Sequence, residues 1–369
     1  MPANAPPFRA DHVGSLLRPP EIKDARERNA AGTLSAAELA ATEDAAIARI
    51  IARQEDIGLE AVTDGEFRRA AWHWDFLGGL EGVEKGTASS GARFRGATTP
   101  PTVIKIVGQL GFGDHPMLAH FAFVKRTTRA TAKMCIPSPT HLAGVSRDWR
   151  TVVDPKAYGG LEPLFHDLAL AYRKAIRAFA DAGCRYLQLD DCNFAFLCDP
   201  AVQARLRQQG DDPQAMLRAF AKLVADVLAE RPPGMTITMH SCRGNFRSTW
   251  LSEGSWEAVA EVLFNTVPVD GFFLEYDSER AGGFEPLRFM PKDRNVVLGL
   301  VSSKLAALEP KDAIRRRIDE AARYVDLARL HLSPQCGFAS TQEGNVMSED
   351  EQWRKLAHVV EIAREVWRE

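Results

Sequence analysis

Short apolar, β-branched runs alternate with longer amphipathic stretches along most of the chain. A short apolar run bounded by turn residues is typical of a buried strand, and apolar residues three to four positions apart are typical of a helix that packs on a sheet. Most intervals between the apolar runs have this helical pattern. The eight strand candidates are "ADHVGSL", "LEAVTDGEF", "TAKMCIPSPT", "YLQLDD", "MTITMHSC", "GFFLEYD", "NVVLGLVSS" and "LHLSPQCG".

This order of elements predicts an α/β protein with a parallel sheet. Eight strand–helix repeats in 369 residues fit a single (β/α)8 TIM barrel better than an open doubly wound sheet. We therefore expect one barrel domain over residues 1–369. The stretch from about residue 80 to 110 departs from the alternation, because its Gly, Ser and Thr turns and its closing β-branched run predict a hairpin-like insertion after the second strand.

Composition and charge argue against a nucleic-acid-binding or membrane protein. The chain has 46 basic and 49 acidic residues without a basic stripe, so we expect no nucleic-acid partner. No apolar run approaches the roughly 20 residues that span a bilayer, and the first residues lack the apolar core of a signal peptide. We therefore predict a cytoplasmic protein that does not enter membranes. The six cysteines then favour free thiols over disulfides.

Potential metal ligands stand where several predicted strands end. His240 and Cys242 follow the fifth strand, Glu275 the sixth and Cys336 the eighth. In a (β/α)8 barrel the carboxyl ends of the strands carry the chemistry, and these residue types are ligands of Zn²⁺. Two interpretations stay open: the four side chains converge on one zinc ion, or the cysteines are buried small side chains and the histidine is bonded to a carbonyl. The matching strand ends favour the metal.

The chain also resembles a known family over nearly its whole length. The similar segments are "HVGSLLRP", "VTDGEFRR", "IPSPT", "LQLDD", "MHSCRGNF", "FFLEYDS", "LGLVSSK" and "SPQCGFAST". They resemble the catalytic C-terminal barrel of the cobalamin-independent methionine synthases, particularly the short single-barrel homologues. The resemblance implies that His240, Cys242, Glu275 and Cys336 bind zinc. It also implies that this zinc activates the thiol of homocysteine, which attacks the methyl group of a reduced folate.

The resemblance further implies a set of substrate-binding residues. Gly14 and Ser15, Glu66 and Asp190 are at the positions that hold the amino-acid part of homocysteine. This chemistry is reasonable, because an ammonium group needs carboxylates and a carboxylate needs N–H and O–H donors. Alternatively, Glu66 and Asp190 are solvated loop carboxylates or, for Asp190, a helix cap. Asp190 and Lys304 are the candidate catalytic residues.

Three departures from the full-length enzymes leave the methyl donor open. The chain has one barrel, whereas those enzymes carry a second, N-terminal barrel that helps to bind the folate tail. Lys304 stands where they have a histidine that helps to protonate the leaving group. A lysine titrates near 10.4, so it would need desolvation or a nearby cation to act as an acid, or it would hold an anion instead. The segment "LDDCNFAF" replaces Asp-Glu-Pro and brings Phe194 and Phe196 to the pocket.

We therefore predict a zinc-dependent thiol alkyltransferase that methylates homocysteine from a methylfolate or another methyl donor. A competing prediction is addition of the coenzyme M thiol to epoxides, for which Arg18, Arg68, Arg69 and Lys304 could clamp the sulfonate. A non-catalytic thiol-binding zinc protein and a metal-free barrel of the related decarboxylase superfamily also fit the pattern. A homo-oligomer is compatible with the sequence.

An aromatic segment follows the second predicted strand. Trp72, His73 and Trp74 could stack on a flat substrate such as a pterin, or they could pack a helix against the barrel.

Overall fold

The structure is a computed structural model that describes residues 5–87 and 91–367. The strands are β1 (Ala61–Val62), β2 (Glu81–Thr87), β3 (Arg93–Phe94), β4 (Ala97–Thr98), β5 (Thr102–Gly111), β6 (Thr131–Pro137), β7 (Tyr186–Asp191), β8 (Thr236–Ser241), β9 (Gly271–Glu275), β10 (Asn295–Val301) and β11 (Leu330–Pro334). The α-helices are α1 (Pro20–Ala30), α2 (Ala36–Asp56), α3 (Trp74–Leu77), α4 (Pro116–Thr127), α5 (Leu161–Asp181), α6 (Asn193–Phe196), α7 (Pro200–Gln208), α8 (Pro213–Leu228), α9 (Ala260–Thr266), α10 (Lys311–Ala321) and α11 (Glu349–Trp367).

One curled parallel sheet of seven strands forms the centre of the molecule, in the order β1-β6-β7-β8-β9-β10-β11. Strands that follow each other around the sheet also follow each other along the chain, and helices fill most of the connections. This is the arrangement of a (β/α)8 barrel, so the predicted fold class is confirmed. None of the described helices is long and apolar enough to cross a membrane.

The first predicted strand is the one element that differs from the expectation. It forms a single bridge, between Ala10 and Leu332 of β11, instead of a strand. Its backbone groups are bonded to side chains, because the His12 N–H donates to the Asp11 carboxylate at 2.7 Å and the His12 carbonyl accepts from Lys133 at 2.6 Å. The His12 ring lies 3.2 Å from the Ala61 carbonyl of β1, but no strand ladder joins this segment to β1 within the described residues, so the sheet is open at this seam.

The predicted insertion after the second strand is confirmed. Strands β2 and β5 pair antiparallel from Glu81 opposite Gly111 to Thr87 opposite Thr102, and β3 and β4 form a second, short pair between them. The ring of Phe94 in the short pair lies 5.5 Å from the ring of Phe246, which follows β8. The insertion therefore reaches across the carboxyl ends of the barrel strands.

The outer helices follow from the sequence pattern. Helix α2 begins at a capping box, in which the Ser35 hydroxyl accepts from the Glu38 N–H and the Glu38 carboxylate accepts from the Ser35 N–H. Helix α5 buries residues three to four positions apart, including Leu164, Leu168 and Tyr172. These helices pack their apolar faces on the sheet and thereby fix the positions of the strand ends.

Candidate active site

Four side chains meet where β8, β9 and β11 end, and we call them the tetrad: His240, Cys242, Glu275 and Cys336. One ligand atom from each residue lies within 4.8 Å of all the others. The Cys242 and Cys336 sulfurs are 3.5 Å apart. Two sulfurs bound to one Zn²⁺ at about 2.3 Å in tetrahedral geometry would be roughly 3.8 Å apart, so the observed spacing fits a shared ion.

The donor atoms of the tetrad are buried, and those of two members lack hydrogen-bond partners. No tetrad residue is more than 8% exposed. Among the described residues, neither ring nitrogen of His240 and neither carboxylate oxygen of Glu275 has a hydrogen bond. Buried polar atoms are almost always partnered, because leaving them unpaired costs free energy. The tetrad therefore has the features of a metal site, and its nitrogen, sulfur and oxygen donors suit Zn²⁺.

Buried cations lie close to Glu275. Arg280 Nη2 lies 3.5 Å from Glu275 Oε2, and Arg280 also pairs with Asp277 at 2.5 Å. Lys304 is buried, and its Nζ has no hydrogen-bond partner within the described part of the chain. Burial alone would raise the pKa of Glu275, but the charges of Lys304 and Arg280 outweigh burial and lower this pKa. Glu275 is therefore held as a carboxylate.

A second group of close side chains contains Glu66, Cys135 and Asp190, whose ligand atoms lie within 4.8 Å of one another. Burial, and next the charge of Glu66, raise the pKa of Asp190 well above its ordinary value. Burial also raises the pKa of Glu66, although its ion pair with Arg69 opposes the rise. Two carboxylates this close repel each other, so a cation bound between them would be stabilised.

Glycines shape the segment that contains Ser15. Gly14 has a φ of +129°, and a Cβ there would lie 2.7 Å from the Cys135 sulfur and from a Glu66 carboxylate oxygen. On the other side, a Cβ on Gly337 would collide with the Ser15 hydroxyl oxygen. Only glycines at both positions allow the Gly14–Ser15 turn to sit between the carboxylates and the loop after Cys336.

A cavity of about 640 Å³ opens over the two groups. Its volume is in the range of small-molecule sites. Its lining includes Ser15, Glu66, Asp190 and the tetrad members other than Glu275; of the described residues, Gly14, Glu275 and Lys304 do not line it. The insertion covers the cavity from above with the residues Gly91, Ala92, Phe94, Thr99 and Pro100.

An aromatic wall lines the same cavity, and it consists of Trp72, His73, Trp74 and His141. The Trp72 ring lies 4.6 Å from the His73 ring and 4.5 Å from the His141 ring. Burial lowers the pKa of His141 to about 4 and lowers the pKa of His73 well below its ordinary value. Both imidazoles are therefore neutral near pH 7, and the wall presents flat, uncharged faces to the cavity.

Comparison with known proteins identifies the family. Residues 8–365 match the family described as cobalamin-independent synthase, catalytic domain. The chain belongs to this family. It is 50% identical over 364 residues to the uncharacterized protein YxjH of Bacillus subtilis (strain 168), and the match covers 98% of this chain and 95% of YxjH. A 5-methyltetrahydropteroyltriglutamate–homocysteine methyltransferase of Listeria innocua is 22% identical over 349 residues, which cover 92% of this chain and 40% of that enzyme.

Solved structures agree with the membership in the cobalamin-independent synthase family. A Listeria monocytogenes protein assigned as a vitamin-B12-independent methionine synthase is 39% identical, with a TM-score of 0.77 over 98% of this chain and 99% of that one. A B12-independent methionine synthase from Shewanella sp. W3-18-1, in complex with selenomethionine, has a TM-score of 0.71 at 18% identity over 98% of each chain. The second likeness supports the fold. The family predicted from the sequence is thus confirmed.

Several side chains in this member of the cobalamin-independent synthase family differ from the sequence-based expectations. Arg18 donates to the backbone carbonyls of Glu66 and Arg69 at 2.8 and 2.9 Å, so it stabilises a loop. Arg68 pairs with Glu43 and does not line the main cavity. Of the four cations suggested as a sulfonate clamp, Arg69 alone lines it.

Two residues of the site, Cys192 and Gly337, were not predicted from the sequence. Cys192, which precedes α6, lines the cavity, and so does Gly337. The proximity of Cys192 to the tetrad depends on how β7 and β8 pair, which is a contact between distant parts of the chain. The sequence offered a signal for both residues. Cys192 directly follows the fourth predicted strand, and Gly337 directly follows the predicted ligand Cys336. Of the two phenylalanines suggested to change the pocket, Phe196 lines the cavity, whereas Phe194 is buried away from it.

Proposed function

We propose that this member of the cobalamin-independent synthase family is a zinc-dependent methyltransferase with a thiol acceptor, homocysteine. The tetrad is the observation that carries the proposal, since its buried nitrogen and oxygen donors have no hydrogen-bond partner among the described residues and its two sulfurs are spaced for one ion. Zinc held there would lower the pKa of a bound thiol, so that a thiolate forms at neutral pH. The activity named for the Listeria innocua relative supports homocysteine as the acceptor.

Residues on the opposite side of the cavity would hold the amino-acid part of the acceptor. Glu66 and Asp190 would bind the ammonium group, whose positive charge would compensate the burial that raises both pKa values and the charge of Glu66 that raises the pKa of Asp190 further. The hydroxyl and the backbone N–H of Ser15, which the turn at Gly14 positions at the cavity, would donate hydrogen bonds to the carboxylate. Bound in this way, the acceptor would extend its sulfur toward the cavity-facing side of the tetrad.

The methyl donor would bind between the tetrad and the aromatic wall. The neutral, flat faces of Trp72, His73 and His141 suit a planar donor such as a methylated pterin, which they would contact by stacking. The match with the Listeria innocua enzyme covers 40% of that enzyme, so its triglutamate donor is not carried over to this chain. A methylfolate with a short tail or another methyl donor is the proposed substrate.

We assign Lys304 and Asp190 different roles. Lys304 does not line the cavity, so its proposed role is to hold Glu275 in its charged form and place rather than to donate a proton to a leaving group. Asp190 lines the cavity beside Glu66, so it would contact the acceptor directly. A Lys304→Met variant would then lower metal affinity more than it changes the pH dependence of turnover.

The first experiment is metal analysis of protein purified without added zinc, followed by zinc titration. We expect close to one equivalent per chain, and less than about 0.2 equivalents with no uptake on titration would contradict the proposal. A Cys336→Ser variant should lose the metal and keep its circular dichroism spectrum. Cys184→Ser is the matched control, because Cys184 is a buried thiol that lies outside the cavity.

The second experiment separates methyl transfer from the competing functions. Homocysteine and coenzyme M are each combined with methylfolates of one and three glutamates, other methylated donors and small epoxides. Methionine formation supports the proposal. Thiol binding at a cobalt-substituted site without any product would instead indicate a thiol-binding protein, and an epoxide adduct of coenzyme M would indicate the other transferase activity.

A further inference from the structure

One cation of the cavity lining has no counter-ion. Among the described residues, Arg69 and Arg147 are the lysine or arginine side chains that line the cavity. Arg69 pairs with Glu66. Arg147 forms no ion pair within the described chain, and its hydrogen bond from Nη2 to the Thr102 carbonyl is long, at 3.4 Å. A guanidinium has five N–H donors, so most donors of Arg147 are left without a protein partner.

A second unpartnered donor lies two residues further along the chain. The indole Nε1 of Trp149 is buried and has no hydrogen-bond partner in the described part of the chain, and Trp149 lines the cavity as well. An indole nitrogen can only donate, and buried polar atoms are almost always partnered. Its N–H therefore indicates a position for an acceptor atom of a ligand. We call Arg147 and Trp149 the donor pair.

Hydrogen bonds on both sides hold the segment that carries the donor pair. Before it, the Val145 N–H donates to the Asn193 side chain at 2.9 Å. After it, the Ile106 N–H of β5 donates to the Val152 carbonyl, and the Ile106 carbonyl accepts from the Asp154 N–H, both at 2.8 Å. The donor pair is thereby fixed between the barrel and the insertion, in the part of the cavity that the insertion covers.

The charges of the cavity favour a singly charged anion at the donor pair. One unpaired guanidinium compensates one negative charge, and its planar fork binds a carboxylate through two parallel N–H···O bonds. A doubly charged group such as a phosphate would be repelled more strongly by the acidic side chains of the lining. These are Glu66, Asp190, Asp191 and Glu343.

We propose that the donor pair binds a carboxylate of the methyl donor, at the end of the donor remote from its methyl group. The inference rests on the proposed function, which places the donor between the tetrad and the aromatic wall. His141 of that wall and Arg147 belong to one connection, between β6 and α5, so a donor that stacks on His141 would extend toward Arg147. The site would then select methyl donors that are planar at one end and carboxylated at the other.

Binding of 5-methyltetrahydrofolate with one glutamate, compared with its uncharged diamide, tests the assignment by isothermal titration calorimetry. We expect the wild-type protein to bind the acid about tenfold more tightly, because the diamide loses the charge-assisted hydrogen bonds to the guanidinium. Arg147→Met should lose this preference and Trp149→Phe should reduce it. Equal affinities in the wild-type protein, or no binding of either compound, would overturn the assignment whether or not the variants fold.

Arg150→Met is the matched control. Arg150 is three residues from Arg147, pairs with Asp148 and Asp211 at 3.0 and 2.7 Å and does not line the cavity. Its guanidinium lies 5.0 Å from the centre of the Trp149 ring, a contact that a methionine side chain can still make. The control should keep the tenfold preference for the acid. A preference lost equally in both variants would indicate long-range charge instead of a bound carboxylate and would contradict the assignment.

Zinc separates this inference from the proposed function. The donor pair lies outside the tetrad, so metal-free and zinc-loaded protein should show the same preference for the acid. A preference that depends on Arg147 in a protein that neither binds zinc nor transfers a methyl group contradicts only the proposed function. Methyl transfer with equal kcat/KM for the acid and the diamide contradicts only the role of the donor pair.

Discussion

Two buried polar clusters inside the barrel differ in how their atoms are partnered. In the first, which we call the Asp11 cluster, the Asp11 carboxylate accepts from Lys133 at 3.0 Å and from the Tyr186 hydroxyl at 2.7 Å. Lys133 also donates to a backbone carbonyl and lies 4.3 Å from the centre of the Phe273 ring. The tetrad is equally buried, but the donor atoms of His240 and Glu275 have no hydrogen-bond partner in the described chain.

The difference separates a structural cluster from a site that needs a ligand. The charges of Asp11 and Lys133 compensate each other, so this cluster needs no ligand, and it fills the interior beside the open seam of the sheet at β1. The tetrad leaves desolvated donor atoms of His240 and Glu275 without hydrogen bonds, and binding of a metal would compensate this cost. Changes in the Asp11 cluster should therefore alter stability, and changes in the tetrad should alter binding.

The largest expected effect is that of Asp11→Asn on stability. The substitution leaves the charge of Lys133 buried without its counter-ion, and breaking a buried pair in this way costs about 3–5 kcal/mol. Chemical denaturation should show this loss in the free energy of unfolding. The double variant Asp11→Asn/Lys133→Met should recover part of it, because no unpaired charge remains. A single variant as stable as the wild type would contradict the structural role of the pair.

The next effect is a loss of stability in acid, caused by His12 beside the Asp11 cluster. Burial, and next the charge of Lys133, lower the pKa of His12 from 6.5 to about 4, although Asp11 opposes this. The folded protein then binds fewer protons than the unfolded chain between these values. The contribution is complete above pH 6.5 and is lost as the pH falls toward 4, to a total of about 3 kcal/mol.

Unfolding measured at pH 7 and at pH 4.5 should test this contribution. His12→Gln keeps an amide donor for the Ala61 carbonyl but cannot titrate, so the variant should lose less stability between the two pH values than the wild type. His141 and His331, whose pKa values burial lowers to about 4 and about 3, account for part of the remaining acid sensitivity. An unchanged difference between the two pH values in His12→Gln would refute the assignment.

A matched pair of substitutions tests the comparison most directly. His240→Leu removes two unpartnered nitrogens, so the metal-free protein should change in stability by less than about 1 kcal/mol, because no hydrogen bond is lost. Zinc affinity should fall at least about 100-fold, since a ligand is missing. Tyr186→Phe removes a hydroxyl that is bonded to Asp11 and should cost about 1–2 kcal/mol without an effect on zinc. The reverse pattern would contradict the distinction between the clusters.

The sequence predicted most of the fold because apolar periodicity and turn residues are local signals. Seven of the eight strand candidates and the insertion are present where the pattern indicated them. The first candidate forms only a bridge. The His12 carbonyl accepts a hydrogen bond from Lys133 and the Val13 carbonyl accepts one from Gln188, so these two carbonyls do not pair with a neighbouring strand. These partners are more than 120 residues away, so no local pattern could show that the segment would not pair as a strand.

The candidate site was predictable to the extent that it depends on strand ends. Because parallel strands end at one edge, residues that follow different strands could be expected to meet, and the tetrad does meet. Directions and partners of side chains were not predictable. Lys304, for which the sequence left open an acid or an anion-holding role, lies beside Glu275 outside the cavity lining, and Arg18, one of four possible clamp residues, is bonded to carbonyls. Both outcomes depend on tertiary contacts.

The smallest expected effect concerns an exposed ion pair, which contrasts with the buried Asp11 cluster. Arg95 in the insertion lies 2.7 Å from Glu253 and 5.4 Å from the centre of the Trp250 ring, and its side chain is 58% exposed. Water and salt screen such a pair, so Arg95→Ala should lower the free energy of unfolding by less than about 1 kcal/mol, and less still at high salt.

The Arg95→Ala variant should nevertheless bind homocysteine faster and release it faster, because Arg95 helps to hold the insertion over the cavity. Stopped-flow measurements with the cobalt-substituted protein would show this. Unchanged rates would mean that the insertion is held by its apolar contacts, such as that between Phe94 and Phe246, and not by the ion pair.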